Sequence, residues 1–345
     1  MKYAILFLAA VLGGFIGYYL HKPNTDDLVL KKRGSFYIGG EKVAQDFVEL
    51  GSFRPDDTVT INQIYVEYMI PPKPAHTPLI LTHGAGLSGS CYDTTPDGRM
   101  GWFEYFVRKS FPTYVVDQVG RGRSGFNQAI FNNVGAGRED VSKLPKISRM
   151  GDLHACWINF RIGSKEGEAY EGTQFPIEAM DEFSRTSIAD LSASLENPNP
   201  NYKSLANLAK KLGGAVLIGH SQSGHYPLES ALLAPDYVKA MIVLEGVCSS
   251  QNWTEEQLMT FSKIPLLIVY GDHLEGSTEG ASTSWQERFD TCNNLIQQIN
   301  NHGGNAAMFY LPAKGLHGNT HMFMLDKNNL EVADLILNWL KENNL

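Results

Sequence analysis

Short apolar runs alternate with helical patterns along most of this chain. The runs are Ser35–Gly39, Thr60–Ile70, Leu79–Thr82, Thr113–Asp117, Ala215–Gly219, Ala240–Leu244, Pro265–Tyr270 and Ala306–Leu311, with turn residues between them. Val216-Leu217-Ile218, Met241-Ile242-Val243-Leu244 and Leu266-Leu267-Ile268-Val269 contain no polar position, so neither face of these strands is expected to meet water. Parallel strands covered by helices on both sides read this way. Helical periodicity separates them, over Gly224–Leu233, Ser284–Asn301 and Leu330–Leu340. The alternation predicts an α/β fold built on a mostly parallel, doubly wound sheet.

Two segments break the rhythm. Between Gly125 and Ala206 there is no convincing apolar strand, yet aromatics recur at Phe126, Phe131, Trp157, Phe160, Tyr170, Phe175 and Phe183. A structureless loop of that length is uncommon in a compact domain, so residues 126–205 are read as a cap insertion, mainly helical, over one end of the sheet. Most of its aromatics pack the cap; one or two face a substrate. At the other extreme, Tyr3–Leu20 is uncharged and apolar, longer than a secretory h-region and short of the roughly 20 residues of a spanning helix. No A-x-A site precedes Lys22. Residues 1–22 are therefore read as a signal peptide or membrane anchor, with a tether through residues 3–20 and the remaining domain, 35–345, exported or membrane-anchored, periplasmic or extracellular.

The sharpest chemical signal is Val216-Leu217-Ile218-Gly219-His220-Ser221-Gln222-Ser223-Gly224. A buried strand runs into a tight turn and then a helix, with Ser221 at the tip. Such a nucleophile elbow exposes a serine hydroxyl at the carboxyl end of a sheet and demands small residues two positions either side. Gly219 meets the demand; Ser223 stands where glycine is usual. A serine hydroxyl needs a base to take its proton as it attacks. His317 and His321 both follow the last strand. Their spacing of four would suit a metal only on a helix, which Pro312, Gly315 and Gly318 oppose, and no third acidic ligand stands nearby. His321, leading into Met322-Phe323-Met324-Leu325, is the choice for the base. Two carboxylates end strands in suitable places, Glu245 after Leu244 and Asp272 after Gly271, and the pattern alone does not choose between them.

His83-Gly84-Ala85-Gly86 ends another apolar strand, where a backbone N–H of Gly86 is expected to face a developing oxyanion; the second donor is the N–H of Gln222. Asp117-Gln118-Val119-Gly120-Arg121-Gly122-Arg123-Ser124 has neither P-loop nor dinucleotide-fingerprint spacing and is read as a structural turn.

Composition narrows the field further. At 43% hydrophobic residues the chain can bury a large core, and its net charge of −8 makes it a poor partner for nucleic acid. The four cysteines, Cys91, Cys156, Cys248 and Cys292, form no C-x-x-C pair, and in an exported protein they would allow up to two disulfides of unassigned pairing. Nothing in the pattern sets an oligomeric state.

From about Ser35 to the C-terminus the chain resembles an α/β-hydrolase, more closely the bacterial esterase 713 type. The stretches that carry the likeness are His83-Gly84-Ala85-Gly86-Leu87-Ser88-Gly89, Thr94–Trp102, Val116–Ser124, Gly219-His220-Ser221-Gln222 and Gly318-Asn319-Thr320-His321-Met322. In that type the acid lies within Leu-Glu-Gly after the strand following the nucleophile, which implies Glu245 over Asp272, and the same likeness implies His321. The type carries cysteine where this chain has Gly86; a backbone donor survives that change, while a disulfide between adjacent cysteines there does not. The resemblance implies a serine esterase: Ser221 attacks the carbonyl of a small-molecule ester, His321 acts as base, Glu245 orients it, and water releases the acyl-enzyme, with no metal or organic cofactor. Neutral histidine is required, and with its ordinary pKa of ~6.5 activity is expected to fall below about pH 6. The same scaffold would also serve an amide, thioester or lactone, or a non-catalytic ligand binder.

Overall fold

The computed structural model describes residues 27–51, 55–151, 154–191, 195–248, 253–276 and 283–345. The expected signal or anchor over residues 1–22 lies outside them. Among the described residues no helix is long and apolar enough to cross a membrane.

Eight strands form one sheet: β1 (Lys32–Gln45), β2 (Asp57–Ile70), β3 (Leu79–Thr82), β4 (Thr113–Asp117), β7 (Ala215–His220), β8 (Val238–Leu244), β9 (Leu266–Tyr270) and β10 (Ala306–Tyr310). A separate hairpin pairs β5 (Gly163–Lys165) with β6 (Glu168–Ala169). The sheet order is β1-β2-β4-β3-β7-β8-β9-β10. From β4 to β10 all neighbours are parallel, while β2 runs antiparallel to β4 and to β1. The mostly parallel, doubly wound sheet expected from the alternation is thus present.

The unbroken apolar strands have a packing reason. Val216 and Ile218 of β7 enter the core on one side of the sheet, with Trp102, Phe106, Phe323 and Trp339. Ala215 and Leu217 enter the other, with Tyr226, Phe261 and Leu295. β9 divides likewise, Leu267 and Val269 against Leu266 and Ile268. Period-2 alternation sends successive side chains to opposite faces, and both faces are covered.

The order of winding fixes where chemistry can occur. β3 connects to β4 on one flank, and the chain then returns past β3 to lay down β7 on the other. The carboxyl ends of β3 and β7 therefore flank the point where winding reverses, the crevice in which open α/β sheets bind ligands.

The connection between β4 and β7 contains residues 126–205. It is less uniformly helical than expected: short helices at Ala129–Gly135, His154–Asn159 and Met180–Arg185 accompany the β5–β6 hairpin. The Pro200–Lys211 helix, which begins inside those limits, packs on β1, β2 and β7. Asn199 caps it, its side chain accepting from the Asn201 N–H, with proline in the first turn. The strand ends of β1 and β2 reach further than their apolar runs, because exposed polar residues such as Glu41 and Lys42 continue the pairing with Ile61 and Thr60.

Candidate active site

Four strand ends supply the site, and backbone geometry sets each side chain. Ser221 directly follows β7 with φ of 55°, in the left-handed region that costs an L-residue energy. Two close approaches hold it there. A Cβ on Gly219 would stand 2.1 Å from the Ser223 carbonyl oxygen. A Cβ on Gly224 would stand 2.4 Å from the Gly246 Cα, so the strand after the nucleophile packs backbone to backbone against the elbow. Ser223 is tolerated where glycine is usual because its hydroxyl is used: it accepts from the His220 N–H at 2.9 Å and lies 3.0 Å from the Thr82 carbonyl.

Glu245 follows β8, also with positive φ (52°). Its Oε1 accepts from Arg161 Nη2 at 2.6 Å and from the Gly271 N–H, and its Oε2 lies 3.3 Å from Nδ1 of His321. All three side chains are buried. Burial alone would raise the Glu245 pKa, but the Arg161 charge and the bonds from His321 and Arg161 outweigh it and hold the value at about 2. The carboxylate therefore stays ionised.

His321 is placed from several directions. Its backbone N–H donates to the Phe160 carbonyl at 2.9 Å, and its carbonyl receives His220 Nε2 at 2.9 Å. The ring packs against Trp285, His220 and Phe160, with centroids 4.6, 4.7 and 5.1 Å away. Burial pushes its pKa below the ordinary value; the Glu245 bond and charge oppose that shift, and Arg161 adds to it. The preceding turn is tied by Asp326, which accepts from the Thr320 N–H and hydroxyl, both at 2.8 Å, and from Asn319 at 3.1 Å.

Ser221 and His321 line one cavity of about 230 Å³ together with His220, Gly84, Ala85, Gly86, Leu87, Met150, Phe160 and Asp190. The structure brings Glu245, not Asp272, to the imidazole. Asp272 accepts from the Gly318 N–H at 2.9 Å and the His273 N–H at 2.8 Å, anchoring the loop that leads to His321. His317 is exposed, with Nδ1 3.9 Å from Asp272. The two histidines thus face different carboxylates, and among the described residues no three His, Cys, Asp or Glu side chains gather as a metal cluster.

The turn after β3 differs from expectation in one respect. The Gly86 N–H, expected to face open space for an oxyanion, donates to Asp190 Oδ2 at 3.2 Å. The same oxygen accepts from Gln222 Nε2 at 3.1 Å. Asp190 in turn forms a buried ion pair with Arg121 at 2.7 Å, and Arg121 also donates to Oε1 of Gln222 and of Gln118, at 2.8 and 2.7 Å. The glycine-rich turn after β4 is therefore structural, and it reaches beneath the elbow through Arg121.

Several site residues were not marked by the sequence. Arg161 is one: arginine is almost never fully buried unless paired, and this one donates to Glu245 and to the Asp272 carbonyl, with its guanidinium 4.5 Å from the Trp285 ring centroid. It directly follows Phe160, which lines the cavity; Phe175 and Phe183 instead pack edge to face in the core. Asp190, Asp326 and Trp285 likewise act through tertiary partners that no local spacing announces. Of the cysteines, Cys248 and Cys292 form a disulfide, and Cys91 and Cys156 are buried thiols.

No family model matches the chain. A solved structure described as "The Atomic Resolution Structure of a Novel Bacterial Esterase" is 40% identical, with 94% of this chain and 99% of that chain covered and a TM-score of 0.86. The "Probable secreted lipase phiG" of Fungal sp. (strain ATCC 74256) is 24% identical over 327 residues, covering 81% of this chain and 86% of that protein.

Proposed function

The chain belongs to the α/β-hydrolase superfamily, beside the bacterial esterase just described, and from that premise we propose that it is a carboxylic-ester hydrolase working through Ser221, His321 and Glu245. The observation that carries the reading is the convergence of three strand ends: a serine in a left-handed turn after β7, a buried carboxylate after β8 and an imidazole after β10 that shares the serine's cavity.

In this reading Ser221 attacks the ester carbonyl and His321 takes the hydroxyl proton. Glu245 fixes the tautomer with the proton on Nδ1, leaving Nε2 to act as base, and stabilises the imidazolium that forms. The collapsing tetrahedral intermediate expels the alcohol with the proton returned by His321, and water activated by the same ring hydrolyses the acyl-enzyme. The Gln222 amide is one oxyanion donor; the second comes from the turn after β3. Gly86 serves once Asp190 releases its N–H, and Ala85, exposed on the cavity wall, offers the neighbouring amide. Each such donor is typically worth about 2.7–4 kcal/mol in the transition state. Neither step calls for a metal or organic cofactor.

Work outside the cytoplasm fits the Cys248–Cys292 disulfide, since oxidising compartments let such bonds persist, and it fits the word "secreted" in the fungal relative's name. That residues 1–22 serve as a signal peptide or membrane anchor, and residues 126–205 as a cap, belongs to the same proposal.

The test is a series of p-nitrophenyl esters of rising acyl length, assayed on the wild type and on Ser221→Ala in parallel. We expect turnover in the wild type and a loss on the order of 10⁶ in the variant. Substantial residual turnover in Ser221→Ala would refute the assignment.

A further inference from the structure

Apolar side chains on a protein surface are ordinary when scattered singly and informative when they cluster. Among the described residues the exposed large hydrophobics are few, and three fall within seven positions: Val141 (69% exposed), Leu144 (37%) and Ile147 (48%). They recur every third residue. Val141–Lys143 is a 3-10 turn, and Leu144 follows with φ −63° and ψ 129°, close to polyproline geometry; both conformations have three residues per turn. Lys143, Lys146 and Arg149 repeat with the same period two positions later, and all three are exposed. The segment thus combines an apolar series with a cationic one, in a chain whose net charge is −8. Acids nearby are Glu139, Asp140 and Glu196, the last sharing a cavity wall with Lys143; the exposed Asp140 carboxylate accepts from the Ser142 N–H, and Arg138 is paired with Asp46. Two residues past Lys146 the chain enters the candidate site, where Ser148, Arg149 and Met150 line the cavity that holds Ser221 and His321.

We propose that residues 141–147 dock the protein onto an anionic lipid surface, with Val141, Leu144 and Ile147 entering the headgroup boundary and Lys143 and Lys146 meeting the lipid charge. Apolar residues interleaved with cations bind such interfaces through buried area plus attraction to anionic lipid. A body of net negative charge is repelled at long range, but a local basic stripe acts within the Debye length of ~8 Å at physiological salt, the distance at which docking occurs. Continuity with Ser148–Met150 brings the mouth of the cavity to the surface in which apolar esters partition. The docking surface itself is independent of the hydrolase reading, since it is measured by binding alone.

The test uses the full chain carrying Ser142→Cys labelled with an environment-sensitive nitrobenzoxadiazole dye, the other thiols being buried or oxidised. The label reports contact of this segment, whatever residues 1–26 do. With vesicles of phosphatidylcholine containing phosphatidylglycerol we expect a blue shift that is absent with phosphatidylcholine alone and is lost in 0.5 M NaCl. In the same labelled background, Lys143→Glu/Lys146→Glu and Leu144→Glu/Ile147→Glu should each weaken the vesicle titration at least tenfold, with hydrolysis of soluble p-nitrophenyl acetate within twofold of the parent. The proposal is overturned by a label that ignores anionic vesicles, by titrations unchanged in both double variants, or by a lipid-independent shift that grows with protein concentration, which would assign the surface to a second copy of the chain. A wild-type protein that docks but does not hydrolyse p-nitrophenyl esters, or one that hydrolyses them but does not dock, separates failure of the hydrolase reading from failure of this inference.

Discussion

Glu245 holds a charge in the protein interior only because three donors converge on it: Arg161, the Gly271 N–H and His321. Removing one partner of a buried ion pair leaves the other uncompensated, at about 3–5 kcal/mol. Glu245→Gln keeps the shape but strands Arg161, so the variant should lose stability on that order in urea melts and lose most of its kcat; a variant with wild-type kcat would show that the carboxylate does not serve His321. The imidazole gives a second expectation. Because burial lowers its pKa and Glu245 remains charged down to about pH 2, the acid limb of kcat/KM should have its half-point below the ordinary histidine value of about 6.5. A half-point above 6.5 would contradict the environment described for His321. Ser221 was legible in the sequence because its constraints are local, a buried strand and small neighbours within a few residues. The choice between Glu245 and Asp272 was not legible from spacing, because both end strands and only tertiary geometry shows that one faces the ring and the other pins its loop.

At the level of elements, the elbow depends on a contact between two glycines on different strand ends. A methyl on Gly246 would lie 2.5 Å from the Gly224 Cα and 2.8 Å from Cγ1 of Val243. Overpacking of this kind typically costs about 1–3 kcal/mol, so Gly246→Ala should unfold at lower urea and lose activity out of proportion, since the shift passes directly to Ser221. Stability reduced with kcat intact would show that the contact does not position the serine. Further along, the disulfide joins the segment after Glu245 to the Trp285–Asn301 helix, whose first residue packs on His321. Closing 44 residues of chain is worth about 4 kcal/mol in the chain-entropy account, and Cys248→Ser/Cys292→Ser should melt correspondingly earlier; an unchanged melting temperature would contradict that contribution. The parallel strands were readable because burial on both faces leaves no polar position in them. The Glu255–Phe261 and Trp102–Arg108 helices are less readable, each spanning about two turns, although Thr254 and Gln257 give the first a capping box.

Across the whole molecule, burial keeps a set of histidines neutral: His83, His220 and His225 are lowered to about 4, 3 and 4, and His321 is lowered as well. Each binds its proton more tightly once unfolded, so its stabilising effect is present above about pH 6.5 and is lost as pH falls through the folded value. Glu245 acts in the same direction at lower pH, between its ordinary 4.5 and about 2. Asp93 and Asp326, raised by burial to about 6, act oppositely and favour the folded state in acid. The three histidines lowered to about 3–4 outnumber these two aspartates, so stability should fall as pH drops from 6.5 towards 4; thermal melts across that range should shift steadily downward, and a flat profile would contradict it. At this scale the sequence conveyed the alternation of strands and helices, hence the sheet. It did not convey that Arg161 and Asp190, from the long β4–β7 connection, would reach back to the acid and to the elbow, because such partners are brought together by folding and share no spacing.

The most direct measurement is of the covalent intermediate itself. Wild type mixed with p-nitrophenyl acetate, quenched in acid and digested, should show a 42 Da acetyl group, the mass difference of acetyl for hydrogen, on the peptide containing Ser221, and none in Ser221→Ala. Turnover with no adduct at Ser221, or an adduct on another residue that persists in the variant, would contradict the account.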